Sequence, residues 1–225
     1  IDGKLGGMLN LPYRKGSNKF ELRNIFNQIG KNRYTYRTGW QNLSQKYEQE
    51  KSEYLYNSRT TYTGQFVGSH SPGAVQLDWG LGYSYAAMNQ PDRRIINREQ
   101  NQIVGDEHYG DMAIDQNEIT RDFVELSEHA ITPSLDIKFP LSLPFSASSE
   151  MRAGLYGEYR YRDYGYREFF YRYNQNNLSQ EFIYGDVVNE ILSSQNYGAD
   201  KLYIYEDTDN RDSYKASNMC YTFVL

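Results

Sequence analysis

The sequence predicts an all-β chain: an antiparallel up-and-down transmembrane β-barrel segment of about seven sequential strands, open because truncated. Three observations carry this prediction. Val75 to Met88 alternates without a fault, with Val75, Leu77, Trp79, Leu81, Tyr83, Tyr85 and Ala87 on one side and Gln76, Asp78, Gly80, Gly82, Ser84, Ala86 and Met88 on the other. Only a β-strand has that period. Aromatic residues make up 16% of the 225, with 23 Tyr against 2 Trp, and they fall near the ends of the alternating rows, as transmembrane barrel strands require. Finally, the connections between alternating stretches run short and long by turns.

Taken in order, the first strand is Lys4 to Tyr13, with Leu5, Gly7, Leu9, Leu11 and Tyr13 on one face, and Arg14 to Asn18 is a short polar turn. The second opens with Phe20 and Leu22, loses strict alternation from Asn24 to Gln28, and continues through Arg33 to Arg37 as a strand that has left the bilayer. Gly39 to Glu53 is polar and charged and is expected to be a loop. The third strand, Tyr54 to Gly68, precedes the turn Ser69-His70-Ser71-Pro72-Gly73, and Val75 to Met88 is the fourth. Asn89 to about Thr120 is expected to be a long polar loop. The fifth strand is clearest at its end, where Ile131, Pro133, Leu135, Ile137 and Phe139 alternate with polar residues. Pro140 to Ser149 is a shorter connection and Glu150 to Arg162 the sixth strand. Asn174 to about Asp212 is a third long excursion, with a short helix expected over Gly185 to Gln195, and a seventh strand begins near Ser213.

Short periplasmic turns and long extracellular loops in phase with the strands are the pattern of outer-membrane barrels. The phase assigns the faces: Leu77, Trp79, Leu81, Tyr83, Tyr85, Leu135, Ile137, Leu155 and Tyr159 toward lipid, and Arg59, Asp78, Arg152, Glu158, Arg160 and Arg162 toward the lumen. Tyr54, Tyr56, Tyr83, Tyr85, Tyr159 and Tyr161 are expected to form an interfacial aromatic girdle toward the extracellular end. The lumen-facing charges are of a kind to steer an anionic ligand or to bond to a plug, and equally to form a salt-bridged wall. Arg93, Arg94 and Tyr109 are the loop candidates for ligand contact.

Composition excludes other classes. A mean hydropathy of -0.81 suits a soluble chain, but a wet barrel interior dilutes the apolar face with polar positions. No apolar run approaches the roughly 18 residues a membrane helix needs. A net charge of -5 argues against nucleic acid, despite the interleaved Tyr159-Arg160-Tyr161-Arg162. Cys220 is the single cysteine, with no CxxC or Cys/His cluster for zinc. His70, His108 and His129 form no metal or catalytic spacing, so no enzyme activity, metal or cofactor is expected. Glu206, Asp207, Asp209 and Asp212 are carboxylates of the kind that collect Ca²⁺, but without an EF-hand pattern they fit a solvated acidic loop better. Ile1 opens without signal-peptide features, which fits a processed form or an internal fragment.

Several phrases resemble one family. Asn18-Lys19-Phe20-Glu21-Leu22-Arg23-Asn24-Ile25-Phe26-Asn27-Gln28, Arg33-Tyr34-Thr35-Tyr36-Arg37, Leu77-Asp78-Trp79-Gly80-Leu81-Gly82-Tyr83-Ser84-Tyr85 with Pro91-Asp92-Arg93-Arg94, and Gly198-Ala199-Asp200-Lys201 with Asp212-Ser213-Tyr214-Lys215-Ala216-Ser217-Asn218 resemble the barrel region of TonB-dependent outer-membrane receptors. The type that carries a carboxypeptidase-regulatory-like N-terminal extension is the nearest in pattern. The resemblance implies a 22-stranded barrel, plugged by an N-terminal domain and importing a scarce nutrient with energy from an inner-membrane complex. No plug, TonB box or terminal aromatic residue is present in the sequence, so residues 1–225 are expected to be a middle piece of the barrel. Its expected place is the bacterial outer membrane, with lipid, plug and the remaining strands as partners. The alternative from another class is a secreted β-sandwich binding carbohydrate through exposed Tyr and Trp.

Overall fold

The computed structural model describes residues 2–42, 46–115, 119–141, 149–173, 193–198 and 201–225. Its strands are β1 (Asp2–Lys15), β2 (Asn18–Asn42), β3 (Lys46–His70), β4 (Gln76–Gln100), β5 (Met112–Ile114), β6 (Thr120–Leu141), β7 (Ser149–Tyr173), β8 (Leu202–Glu206) and β9 (Tyr214–Val224). All belong to one antiparallel sheet in the order β1-β2-β3-β4-β6-β7-β8, with β5 also on β4 and β9 also on β7. The nine segments fill seven lanes, because β5 continues the lane of β6 along β4, and β8 and β9 share one lane along β7. The sheet does not close: β1 pairs only with β2, and β8 and β9 only with β7.

The tight turns follow from their residues. Lys15 pairs with Asn18, leaving Gly16 and Ser17 as a two-residue loop, and Gly16 at φ +62° supplies the left-handed first position of a type II′ hairpin turn. Pro72 and Gly73, the latter at φ +65°, bend the chain between β3 and β4.

Strand length is the main departure from expectation. β2, β3, β4 and β7 each run 25 residues, roughly 80 Å at 3.3 Å per residue. The polar stretch 39–53 is therefore not a long loop: β2 and β3 stay paired out to Asn42 opposite Lys46. Likewise β4 extends through Gln100 and β6 begins at Thr120, so the Asn89–Thr120 segment is a loop only after Gln100. Polar alternation conceals such extensions, since a ladder with water on both faces needs no apolar row. The helix expected over 185–195 falls mainly outside the described residues. Of its end, Ser194–Asn196 is a single 3₁₀ turn.

Two prolines mark local adjustments. Between Asn89 and Arg94 β4 advances five residues while β3 advances four, and β6 shows the same one-residue excess. This is a β-bulge at Pro91-Asp92, where Pro91 has no N–H for the ladder. It reverses the face of every later β4 residue. Pro133 sits within β6, opposite Leu81 on one side and near Gly157 on the other, where an added Cβ would lie 3.4 Å from its ring.

Among the described residues, the densest burial lies at the far end of the long strands, where Ile96, Ile114, Ile119, Tyr171 and Leu202 form one apolar cluster with Tyr197 against it.

Candidate functional site

Register sorts the middle of the sheet into two unlike faces. Across one face run Leu9, Leu11 and Tyr13 of β1, Phe20, Leu22 and Phe26 of β2, and Tyr62 and Phe66 of β3. The row continues through Leu77, Trp79, Leu81, Tyr83 and Tyr85 of β4, Ile131, Leu135 and Ile137 of β6, Leu155 and Tyr159 of β7, and Met219, Tyr221 and Phe223 of β9. All nine residues assigned to lipid from sequence lie in this belt. Nothing among the described residues covers it: Leu81 is 51% exposed, Leu155 53% and Leu9 55%, where a soluble monomer rarely leaves so large a contiguous apolar patch.

The belt carries aromatic groups at both ends. Near the tight turns Trp79 packs edge-on against Phe66 and Phe20, with centroids at 5.2 and 6.4 Å. Trp79 Nε1 donates to His70 Nε2 at 2.9 Å, so His70 accepts there and donates from Nδ1 to Asn18 Oδ1 at 2.7 Å. His70 is thus the last residue of β3 rather than a turn residue. At the other end Tyr83 Oη meets His129 Nδ1 at 2.9 Å, and Tyr85 lies opposite His129, which lies opposite Tyr161. His129 lies in the middle of β6. The row level with Tyr83 and Tyr85 on β3 is Tyr62; Tyr54 and Tyr56 stand some six to eight residues farther out, about 20 to 27 Å along the strand, and do not join this band. Asn24, the polar residue that broke the predicted alternation, faces the belt but is satisfied, accepting from Tyr62 Oη at 2.7 Å and donating to the Leu9 carbonyl at 3.4 Å.

The opposite face is polar and holds Arg59, Asp78, Arg152, Glu158, Arg160 and Arg162 together. Arg152 reaches Asp136 at 2.9 Å, Arg160 reaches Glu158 at 2.9 Å, Arg162 donates from Nε to Glu128 at 2.7 Å, and Asp78 accepts from Gln76 at 2.8 Å. Arg59 meets no carboxylate among the described residues. Near the tight turns this face has a depression lined by Lys19, Glu21, Arg23, Asp78 and Asp136.

Beyond the belt, the bulge separates the two arginines expected to share a loop. Both are in β4 and on opposite faces. Arg94 joins the belt side, where Asp92 takes it at Nε with a distance of 2.7 Å and also takes Arg121 at 2.7 Å. Arg121 in turn donates to the Tyr171 hydroxyl at 3.1 Å. Burial pushes the Asp92 carboxyl up, but hydrogen bonds from Arg121 and Arg94 outweigh it and hold the group below its ordinary range. Arg93 is on the polar side between Glu53 at 2.7 Å and Asp122 at 3.1 Å. Tyr109 is apart from both, on the exposed turn before β5.

Sequence reasoning missed the group around Asp122. It is 4% exposed, its Oδ1 has no hydrogen-bond partner, and Glu168 stands directly opposite on β7. Burial raises the Asp122 carboxyl against the pull of Arg93, and burial followed by the Asp122 charge raises Glu168. Only the β6–β7 register brings these two carboxylates together. The acidic run at 206–212 is dispersed: Glu206 pairs with Arg167 at 2.9 Å, while Asp209 and Asp212 cap the 3₁₀ turn Asn210–Asp212. Among the described residues no group of His, Cys, Asp and Glu is arranged to hold a metal.

The class these features define is an all-β chain forming an open, meandering antiparallel sheet with one apolar and one polar face. No family model, curated protein or solved structure matches the chain.

Proposed function

We propose that this sheet is part of the wall of a transmembrane β-barrel in the bacterial outer membrane, with the belt against lipid and the salt-bridged face toward a wet lumen. The observation that carries the reading is the belt itself: an uncovered apolar face crossing all seven lanes, bounded by aromatic groups at both ends and backed by ion pairs. Closed barrels are the one β architecture that leaves no backbone group unpaired in hydrocarbon, so the two open edges are to be met by further strands. The ends of β4 and β7 away from the tight turns, with the segments 101–119 and 193–213, are the extracellular side of this wall.

The narrower proposal is a TonB-dependent transporter that imports a scarce nutrient, with a plug domain and an inner-membrane coupling complex as partners and no catalytic step of its own. It rests on the phrases around Asn18–Gln28 and Leu77–Tyr85. A carbohydrate-binding β-sandwich needs a second sheet over the belt, and the described strands all belong to one sheet. Fractionation tests the proposal. The protein should follow the outer membrane, require detergent, and yield to external protease at the strand ends away from the tight turns and not at Gly16-Ser17 or Pro72-Gly73. Stable monomeric behaviour in plain buffer contradicts it.

A further inference from the structure

We infer that the polar face of the β2–β3 extension is a binding surface for an anionic solute, one carrying several carboxylate or phosphate groups. The inference rests on the pore-wall reading, and narrows the ligand that such a wall admits. Past the belt, that face of the hairpin presents Lys31, Arg33 and Arg37 from β2 and Lys51 and Arg59 from β3, five bases with Glu53 as the single acid. The other face of the same hairpin carries Glu48 and Glu50, with Lys46 at its outer end as the one base in that register. In a chain of net charge -5, alternation places five of the six bases of this extension on one side.

Glu53 does not neutralise the stripe. Arg33 approaches it at 3.5 Å, but Arg93 already holds it at 2.7 Å. Lys31, Arg37 and Arg59 are exposed and meet no carboxylate among the described residues. Arg37 stands directly opposite Lys51, so two cationic side chains share one cross-strand position. The stripe runs from Arg59, opposite Ile29, to Arg37, roughly 27 Å of strand, so it serves several anionic groups or a path rather than one point. Guanidinium forks suit carboxylate and phosphate in particular. A single-signed wall also concentrates its counter-ion and speeds its approach.

The test uses the full-length protein in uncharged detergent at low salt and pyranine, a trisulfonated dye, followed by fluorescence anisotropy. Lys31→Gln/Arg37→Gln/Arg59→Gln removes three exposed charges that meet no carboxylate among the described residues, so an unchanged heat-dependent gel migration is expected. Dye affinity should fall by about tenfold or more, free citrate should compete, and Lys15→Gln at the tight turn should bind as the unaltered protein does. Equal affinity in the triple variant, or no dye binding by the unaltered protein, overturns the inference. So does release of a plug domain by the triple variant with dye binding unchanged, which would give the stripe to the plug. A protein that binds the dye in plain buffer without entering membranes would instead defeat the pore-wall reading and leave the anionic surface standing.

Discussion

Replacing Leu81 by Arg asks whether the belt meets hydrocarbon. Leu81 is midway between Leu77 and Tyr85 on β4, between Phe66 of β3 and Pro133 of β6. Those eight steps cover about 27 Å of strand. At the usual tilt near 40° that is roughly 21 Å of height, close to the ~25 Å apolar band of an outer-membrane barrel. An arginine at that depth costs about 2 to 4 kcal/mol. The same change at a residue 51% exposed to water should stay within about 0.5 kcal/mol. Asp78→Asn is the internal comparison, since Asp78 is on the other face and accepts from Gln76 at 2.8 Å; its cost should be under about 1 kcal/mol. The assay is a denaturant titration of the complete barrel folded into lipid vesicles. Equal costs, or a larger one for Asp78→Asn, would refute the assignment of faces.

The remaining predictions concern the extension and the far edge. Asp92→Asn breaks the contacts to Arg94 and Arg121 and should cost roughly 1 to 3 kcal/mol at neutral pH; because the Asp92 carboxyl is held low, the difference from the unaltered protein should shrink as pH falls through its folded pKa. Glu168→Gln has the opposite sign: Asp122 and Glu168 are both raised, so their charged forms penalise the folded state, and the variant should gain stability over the unaltered protein as pH rises from the ordinary carboxylate range through the raised values. A gain at acid pH that vanishes at neutral pH would contradict the shared burial of the pair. On β9, Cys220 lies opposite Glu158 on the polar face and Met219 opposite Tyr159 in the belt. A charged thiol reagent should therefore label Cys220 in membranes but not Met219→Cys in a Cys220→Ser background.

The belt was legible in the sequence because one-sided burial forces a period of two, and Val75 to Met88 keeps it for its whole length. Where a strand carries polar residues at both alternating sets of positions, as from Gly39 to Glu53, there is no apolar period to read and the strand is indistinguishable from a loop. The lipid and lumen sets fall on separate faces as the alternation implied, since no bulge interrupts those rows. Arg93 and Arg94 could not be placed without the extra residue at Pro91-Asp92, and Asp122 was hidden because Arg93 and Glu168, which flank it, are distant in sequence. Asn24 misled for a different reason: a polar residue in an apolar row is tolerated when Tyr62 and the Leu9 carbonyl satisfy it.

The two tryptophans permit the most direct test of the membrane reading. Trp79 is in the belt, whereas Trp40 is 58% exposed and 14 residues beyond Phe26 along β2, about 48 Å farther out. With the full-length protein in vesicles of lipids brominated on their acyl chains, the quenched tryptophan signal should decrease in Trp79→Phe and be unchanged in Trp40→Phe. Quenching that survives Trp79→Phe undiminished, or that depends on Trp40, would contradict a belt that faces lipid.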